Sequence, residues 1–296
     1  MADEITSRTT SAASLRGAYI PLDASDKVLS TDSVTAAMWS DNTPTLQVFQ
    51  TSSAQVTSAV KEYYTSVFQT ASTGVTAAIQ FDIAYNDIKG SGSAPLNPLV
   101  VGTTPSRINY GSYRNLVLGD ENASFIFGNQ TSSYFYCLPI ERARYKQAIL
   151  PGTWTLNISG SANELSLTDD SKVNTVAQFS DAGRYYNIIS GSAGAVRTTS
   201  NQTDSNGWTL NSGSYGWILP DVDLLILSGE ALDGAAADGG IALGTARSNG
   251  TWDDNSAKIV NALGVAGKFG TATKGFTLNS KEDLSSDFIF CIFFFF

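Results

Sequence analysis

The spacing of apolar residues changes several times along the chain. Val56, Val60, Tyr63, Tyr64, Val67 and Phe68 recur at intervals of three and four, which predicts a helix from Ser53 to Thr70. Thr51, Ser52 or Ser53 offers an N-cap acceptor, and Gly74 offers a stop. The period then drops to two. Val75, Ala77, Ile79, Phe81, Ile83 and Tyr85 alternate with smaller or polar residues and predict a half-buried strand. A Gly/Ser/Pro loop follows from Asn86 to Pro98, and short strands are expected at Leu116–Leu118, Phe125–Phe127 and Tyr134–Leu138. Beyond Pro151 and Gly152, the alternation around Trp154, Leu156 and Ile158 and the turn at Gly160–Asn163 predict a hairpin with Glu164–Leu167. Strands are also expected at Tyr185–Ile189, Gly207–Leu210 and Trp217–Leu219. Val222–Leu227 is a denser apolar run, the pattern of a strand buried on both faces. Ile259, Val260 and Leu263 share a face of a second expected helix at Ser256–Val265. Short strands between frequent turns predict a mainly β fold, with β-sandwich or barrel-like domains and one or two short helices. The expected division is an N-terminal arm and linker over 1–50, an α+β domain over 51–150 and a β-rich domain over 151–296.

Composition narrows the chemistry. The 296 residues carry 18 Lys and Arg against 27 Asp and Glu, a net charge of -9, and no histidine. Without histidine, a Ser-His-Asp triad, a Cys-His dyad and any His-ligated metal site are excluded. Cys137 and Cys291 are too few for a zinc site or a disulfide scaffold. Ser and Thr together number 65, so hydroxyls rather than ions supply the polarity. A pI near 4.5 argues against nucleic acid as the main partner. The start, Met1-Ala2-Asp3-Glu4-Ile5, lacks the basic and apolar regions of a secretory signal. The end, Phe288 to Phe296, is nine consecutive apolar residues, too few to span a membrane. A Phe tetrad there predicts a chain cut short in mid-strand, or else a strand packed on a neighbour.

Candidate sites follow from residue type and spacing. Asp169 and Asp170 occupy a turn, and Asp221 and Asp223 flank Val222 as if on one side of a strand. Either pair has the chemistry for acid–base work or Ca2+, but Asp in turns ordinarily accepts backbone N–H groups, and that is the reading adopted. Asp233-Gly234 and Asp238-Gly239 do not match a calcium loop and predict a mobile glycine loop. Lys89–Ser93 lacks the order of a phosphate loop. Arg142, Arg144 and Lys146 alternate and would form a basic stripe on a strand, a docking surface for a carboxylate-rich neighbour. The five tryptophans could line a sugar site, but the reading adopted is that they anchor cores or subunit contacts, with Trp208 and Trp217 as interface candidates. Phe288 and Phe290 are interface candidates at the C-terminal strand.

Several longer stretches resemble virion proteins of large contractile-tailed bacteriophages, of the T4-like and marine myovirus type. They are Ala77–Tyr85 (AAIQFDIAY) with Gly90–Ser93, Tyr110–Gly119 (YGSYRNLVLG), Ile140–Lys146 running into Leu150–Trp154, Leu167–Ser171, and Ser285–Phe290. The resemblance implies a structural protein of the virion, assembled in the host cytoplasm and belonging to the tail, at the baseplate or neck. Its partners would be other virion proteins and further copies of itself, with no membrane, no cofactor, no metal and no enzymatic activity. The alternative is a host-surface carbohydrate or receptor-binding module of the tail, with a glycan as partner. The resemblance carries over no catalytic residues.

Overall fold

The computed structural model describes residues 27–46, 50–51, 64–69, 77–93, 99, 104–160, 164–197, 213–244, 258–259, 262–263 and 275–289. The first half supplies β1 (Lys27–Ala37), β2 (Thr45–Leu46), β3 (Gln50–Thr51), β4 (Tyr64–Phe68), β5 (Ile79–Asp87), helix α1 (Pro105–Leu118), β6 (Phe125–Phe127), β7 (Gln130–Ser132), β8 (Tyr134–Pro139) and β9 (Ala148–Ile149). The second half supplies β10 (Thr155–Ser159), β11 (Glu164–Asp169), β12 (Gln178–Ser180), β13 (Gly183–Ser192), β14 (Ala195–Val196), β15 (Gly216–Leu219), β16 (Leu224–Ser228), helix α2 (Gly229–Asp233), β17 (Phe276–Thr277) and β18 (Asn279–Ile289). The fold is mainly β. One compact unit spans Thr35–Glu282, and the other holds residues 1–34 and 283–296. The described parts of the latter are the outer ends of β1 and β18, and Phe288 lies in β18. Phe290 is outside the described residues.

The larger unit is built on one sheet in the order β2-β17-β10-β11-β13-β15-β16-β8-β5-β4-β3, with β12 and β14 attached to β13. Strands from before and after Pro151 share it. Alternation assigns its two faces. Ile83, Tyr85, Tyr136, Leu138, Leu156, Leu167, Ile188, Ile218, Leu225 and Leu227 belong to the inner cluster, while Ala84, Phe135, Cys137, Trp217, Leu219, Leu224 and Ile226 belong to the outer one. The sheet curls until β5 and β17, separated by six strands along it, come together. The Phe81 and Phe276 rings are 5.5 Å apart, and Trp39 lies 5.9 Å from the first and 5.3 Å from the second. Trp39 Nε1 donates to the carbonyls of Pro44 and Phe276, both at 3.0 Å. Beside it, Ser40 N donates to Gln80 Oε1 at 3.0 Å and Gln80 Nε2 returns a bond to Ser40 Oγ at 2.9 Å. The residues before β2 thus bridge the two ends of the curl.

The expected hairpin is present, with Leu156 opposite Leu167 and Ile158 opposite Leu165. Leu224–Leu227 of the dense apolar run enter β16, which is buried at every position, while Val222 stays in the preceding turn and is exposed. Two expectations are overturned. Tyr64–Phe68, the end of the predicted first helix, is strand β4, paired with β5 from Tyr64–Ala84 to Phe68–Ile79. Tyr, Thr, Val and Phe in this stretch favour a pleated surface, and a neighbouring strand edge overrides a helical spacing. Residues 53–63 and 70 of that expected helix lie outside the described residues. Leu116–Leu118, expected as strand, is the last turn of α1. Pro105 sits in its first turn, and Gly119 ends it at φ 65, donating to Asn115 O, the left-handed stop that favours glycine. α1 buries Tyr110 and Val117 against the outer cluster. After β16 the chain forms α2, capped by Ser228 Oγ accepting from Ala231 N, and the glycine-rich stretch that follows is a loop with one 3-10 turn at Ala236–Asp238. Of the helix expected over 256–265, Lys258, Ile259, Ala262 and Leu263 are helical.

Candidate functional site

The carboxylate pairs are anchored to backbone. Asp169 is fully buried; its Oδ2 accepts from Gly152 N at 2.7 Å and its Oδ1 from Ser171 N at 3.0 Å. Asp170 spends both oxygens on Asn187, accepting from the backbone N at 2.9 Å and from Nδ2 at 3.1 Å. These bonds tie the turn after β11 to the chain before β10 and to β13. The loop at Lys89–Ser93 is likewise a turn held by a carboxylate, since Asp87 Oδ1 accepts from Lys89 N and Ser91 N.

Asp221 and Asp223 do not share a strand face. They belong to the turn between β15 and β16, and Asp223 has a φ of 52. Asp221 pairs with Arg184 at 2.6 Å, which holds its carboxyl below the usual range. Asp223 is buried; its Oδ1 accepts from Ile149 N at 2.7 Å and its carbonyl from Ile140 N at 3.0 Å. Burial pushes its pKa up to about 6, against the lowering influence of Ile149 N, the Tyr145 hydroxyl and Arg142. The folded chain therefore holds this proton more tightly than the unfolded one. Its stabilising contribution is complete below the ordinary carboxyl value of 3.8 and is lost as pH rises through about 6. Asp223→Asn is expected to flatten the pH dependence of urea unfolding between about pH 4 and pH 7 and to be at least as stable as the parent at about pH 7. An unchanged pH profile would contradict this.

The basic stripe is not formed. Arg142–Arg144 is one turn of 3-10 helix, closed by Arg144 N donating to Glu141 O at 2.8 Å. Arg142 Nη1 donates to the carbonyls of Tyr145 and Lys146, both at 3.0 Å, and its guanidinium lies 4.6 Å from the Tyr145 ring centre. Arg142 thus caps its own turn, Arg144 has a buried Nε without a partner, and Lys146 is exposed. Trp217 is a core residue, not a surface contact: it is 7% exposed and packs on Phe125, Phe127 and Tyr185 with ring centres 4.6–5.9 Å away. It sits on the outer sheet face, where the β6–β7 hairpin covers it. Trp208 is outside the described residues. Among the described residues no group of three or more His, Cys, Asp or Glu side chains is placed to hold a metal ion. Burial pushes the Cys137 thiol well above its usual range, so it remains protonated and unreactive.

The exposed features lie elsewhere. β12 pairs with β13 alone among the described residues, with Phe179 opposite Arg184. Phe179 is 72% exposed, Val176 75% and Val173 50%. Asp181, just after β12, donates its N–H to Val117 O and so fixes this hairpin to the end of α1, where Leu116 is also exposed. Composition hid this feature, since a scattered Val and Phe in a polar stretch resembles half a strand whose other face is buried. The chain matches no family model, no curated protein and no solved structure.

Proposed function

We propose that this chain is a structural component of a tailed-bacteriophage virion, part of the tail machinery at the baseplate or neck, and that it works by protein–protein assembly rather than catalysis. The observation that carries this reading is the β12 edge. A strand edge unpaired among the described residues, with an exposed aromatic side chain and two exposed valines nearby in sequence, is a surface that gains from being covered. The stretches resembling contractile-tail virion proteins support the same conclusion. In this reading the curled sheet is a barrel-like platform whose hydroxyl-rich surface forms hydrogen-bonded contacts without desolvating charges. Further copies of the chain and other virion proteins are its partners.

Mass spectrometry of purified particles of the encoding phage is expected to contain the chain, and its absence there would overturn the proposal. Phe179→Asp is expected to weaken self-association or association with neighbouring virion proteins by about tenfold or more, seen in sedimentation velocity, because exposed aromatics dominate such contacts. Its melting temperature should stay within about 2 °C of the parent, since the side chain contributes little to the core. Unchanged association would remove β12 as the contact. Binding on a glycan array in place of protein association would favour the receptor-binding alternative.

A further inference from the structure

The outer face of α1 borders an open groove of about 610 Å3. Arg107 and Arg114 line it, and Gly111 lies between them on the same stripe of the helix. Seven residues separate the two arginines, or two helical turns, so their attachment points are about 10 Å apart along the axis. Ile108 adds an exposed apolar side chain, and Glu121 and Asn122 also line the groove.

Three details distinguish this groove from an ordinary charged helix face. Arg114 is held in place, its guanidinium carbon 5.7 Å from the centre of the buried Tyr110 ring. Its Nε is buried without a hydrogen-bond partner, and neither guanidinium has an ion pair among the described residues, although Glu121 shares the groove. Gly111 has no packing reason to be glycine: a Cβ built there meets nothing within 4 Å. Glycine inside a helix costs about 1 kcal/mol relative to alanine. At Gly111 that cost is offset by nothing in the fold, while the missing side chain opens the floor between two donors.

We infer that the groove beside α1 is a docking site for an acidic peptide segment of a partner protein, whose carboxylates are taken by Arg107 and Arg114 while its backbone crosses Gly111. Guanidinium groups suit carboxylates because their N–H donors match both oxygens. A chain of net charge -9 repels a continuous polyanion, and Glu121 in the groove lining adds to that, so spaced carboxylates suit the groove better than a run of phosphates. The inference rests on the assembly reading, for which it names the chemistry of one partner. It is independent of β12.

The test uses the full chain with a fluorescein-labelled peptide of alternating Gly and Glu, about twelve residues long, read by fluorescence anisotropy at low and high salt. Saturable binding is expected, weakened by salt, and reduced about tenfold or more by Arg114→Gln and by Arg107→Gln. Gly111→Leu should abolish binding by filling the floor while raising helix stability, so its melting temperature, kept or increased, shows that the loss is not unfolding. Phe179→Asp should leave peptide binding unchanged. No saturable binding, or binding indifferent to both Arg114→Gln and Gly111→Leu, would overturn the inference. Tighter binding of a labelled oligo-dT of similar length would overturn it in favour of nucleic acid. Loss of peptide binding with the chain still found in particles would refute the groove alone. The chain's absence from particles would instead refute the assembly reading.

Discussion

Trp39→Ala is expected to destabilise the larger unit by about 3–5 kcal/mol, the cost of deleting a buried aromatic residue in a packed core. The side chain is 1% exposed and touches both Phe81 and Phe276. Two further losses follow, since Nε1 donates to Pro44 O and Phe276 O and leaves both carbonyls without it. For a unit of this size the melting temperature should fall by roughly 10 °C. Trp39→Phe separates the contributions, because it keeps most of the ring packing and loses the two hydrogen bonds. It should cost about 1–3 kcal/mol. Thermal denaturation of the three proteins checks the order. If Trp39→Ala melted within about 2 °C of the parent, the curl would not depend on this bridge.

Asp169→Ala is expected to cost about 2–4 kcal/mol. Its two acceptors hold Gly152 N and Ser171 N inside the fold, and a carboxylate removed from such a place leaves a buried donor with no partner. Asp169→Asn keeps one acceptor oxygen and should lose about half as much. Urea unfolding at neutral pH measures both. Equal stability of all three would show that the turn after β11 is held by something else, and would reopen a chemical role for the pair.

The strongly periodic parts of the chain were legible in advance. The alternation from Ile79 to Tyr85 became β5, the hairpin around Trp154 to Leu167 formed in a register that pairs its apolar residues, and the buried run before Ser228 became a central strand. The hairpin reports its sheet face through period two, β5 alternates as expected but is buried on both faces, and the run before Ser228 announces two-sided burial by its density. The failures have a common cause in competition between local and distant contacts. β4 has a helical spacing but lies against β5, whose ladder satisfies its backbone. α1 reads poorly as a helix because Ser, Asn, Gly and Tyr interrupt its apolar face, and Pro105 with Gly119 were its true signals. Arg142 and Trp217 misled for another reason. Neither a guanidinium folded back on its own turn nor an indole covered by a separate hairpin leaves a trace in residue spacing. The groove beside α1 depended on recognising that helix first, after which Arg107, Gly111 and Arg114 fall on one stripe.

The bridge at Trp39 also bears on how the chain comes to be folded. Its bond to Phe276 spans 237 residues, and β2 pairs with β17. At roughly 5–20 residues per second, a ribosome takes on the order of 10–50 s to deliver the second partner after the first. Until then the inner face of β5 and its neighbours has no cover at that end, and every contact made must wait beside an open hydrophobic trough. Folding governed by so distant a closure is slow and exposed to aggregation. The nascent protein is therefore the kind of client that a holding chaperone protects late in synthesis, and its yield should respond to chaperone supply more than to the stability of the finished fold.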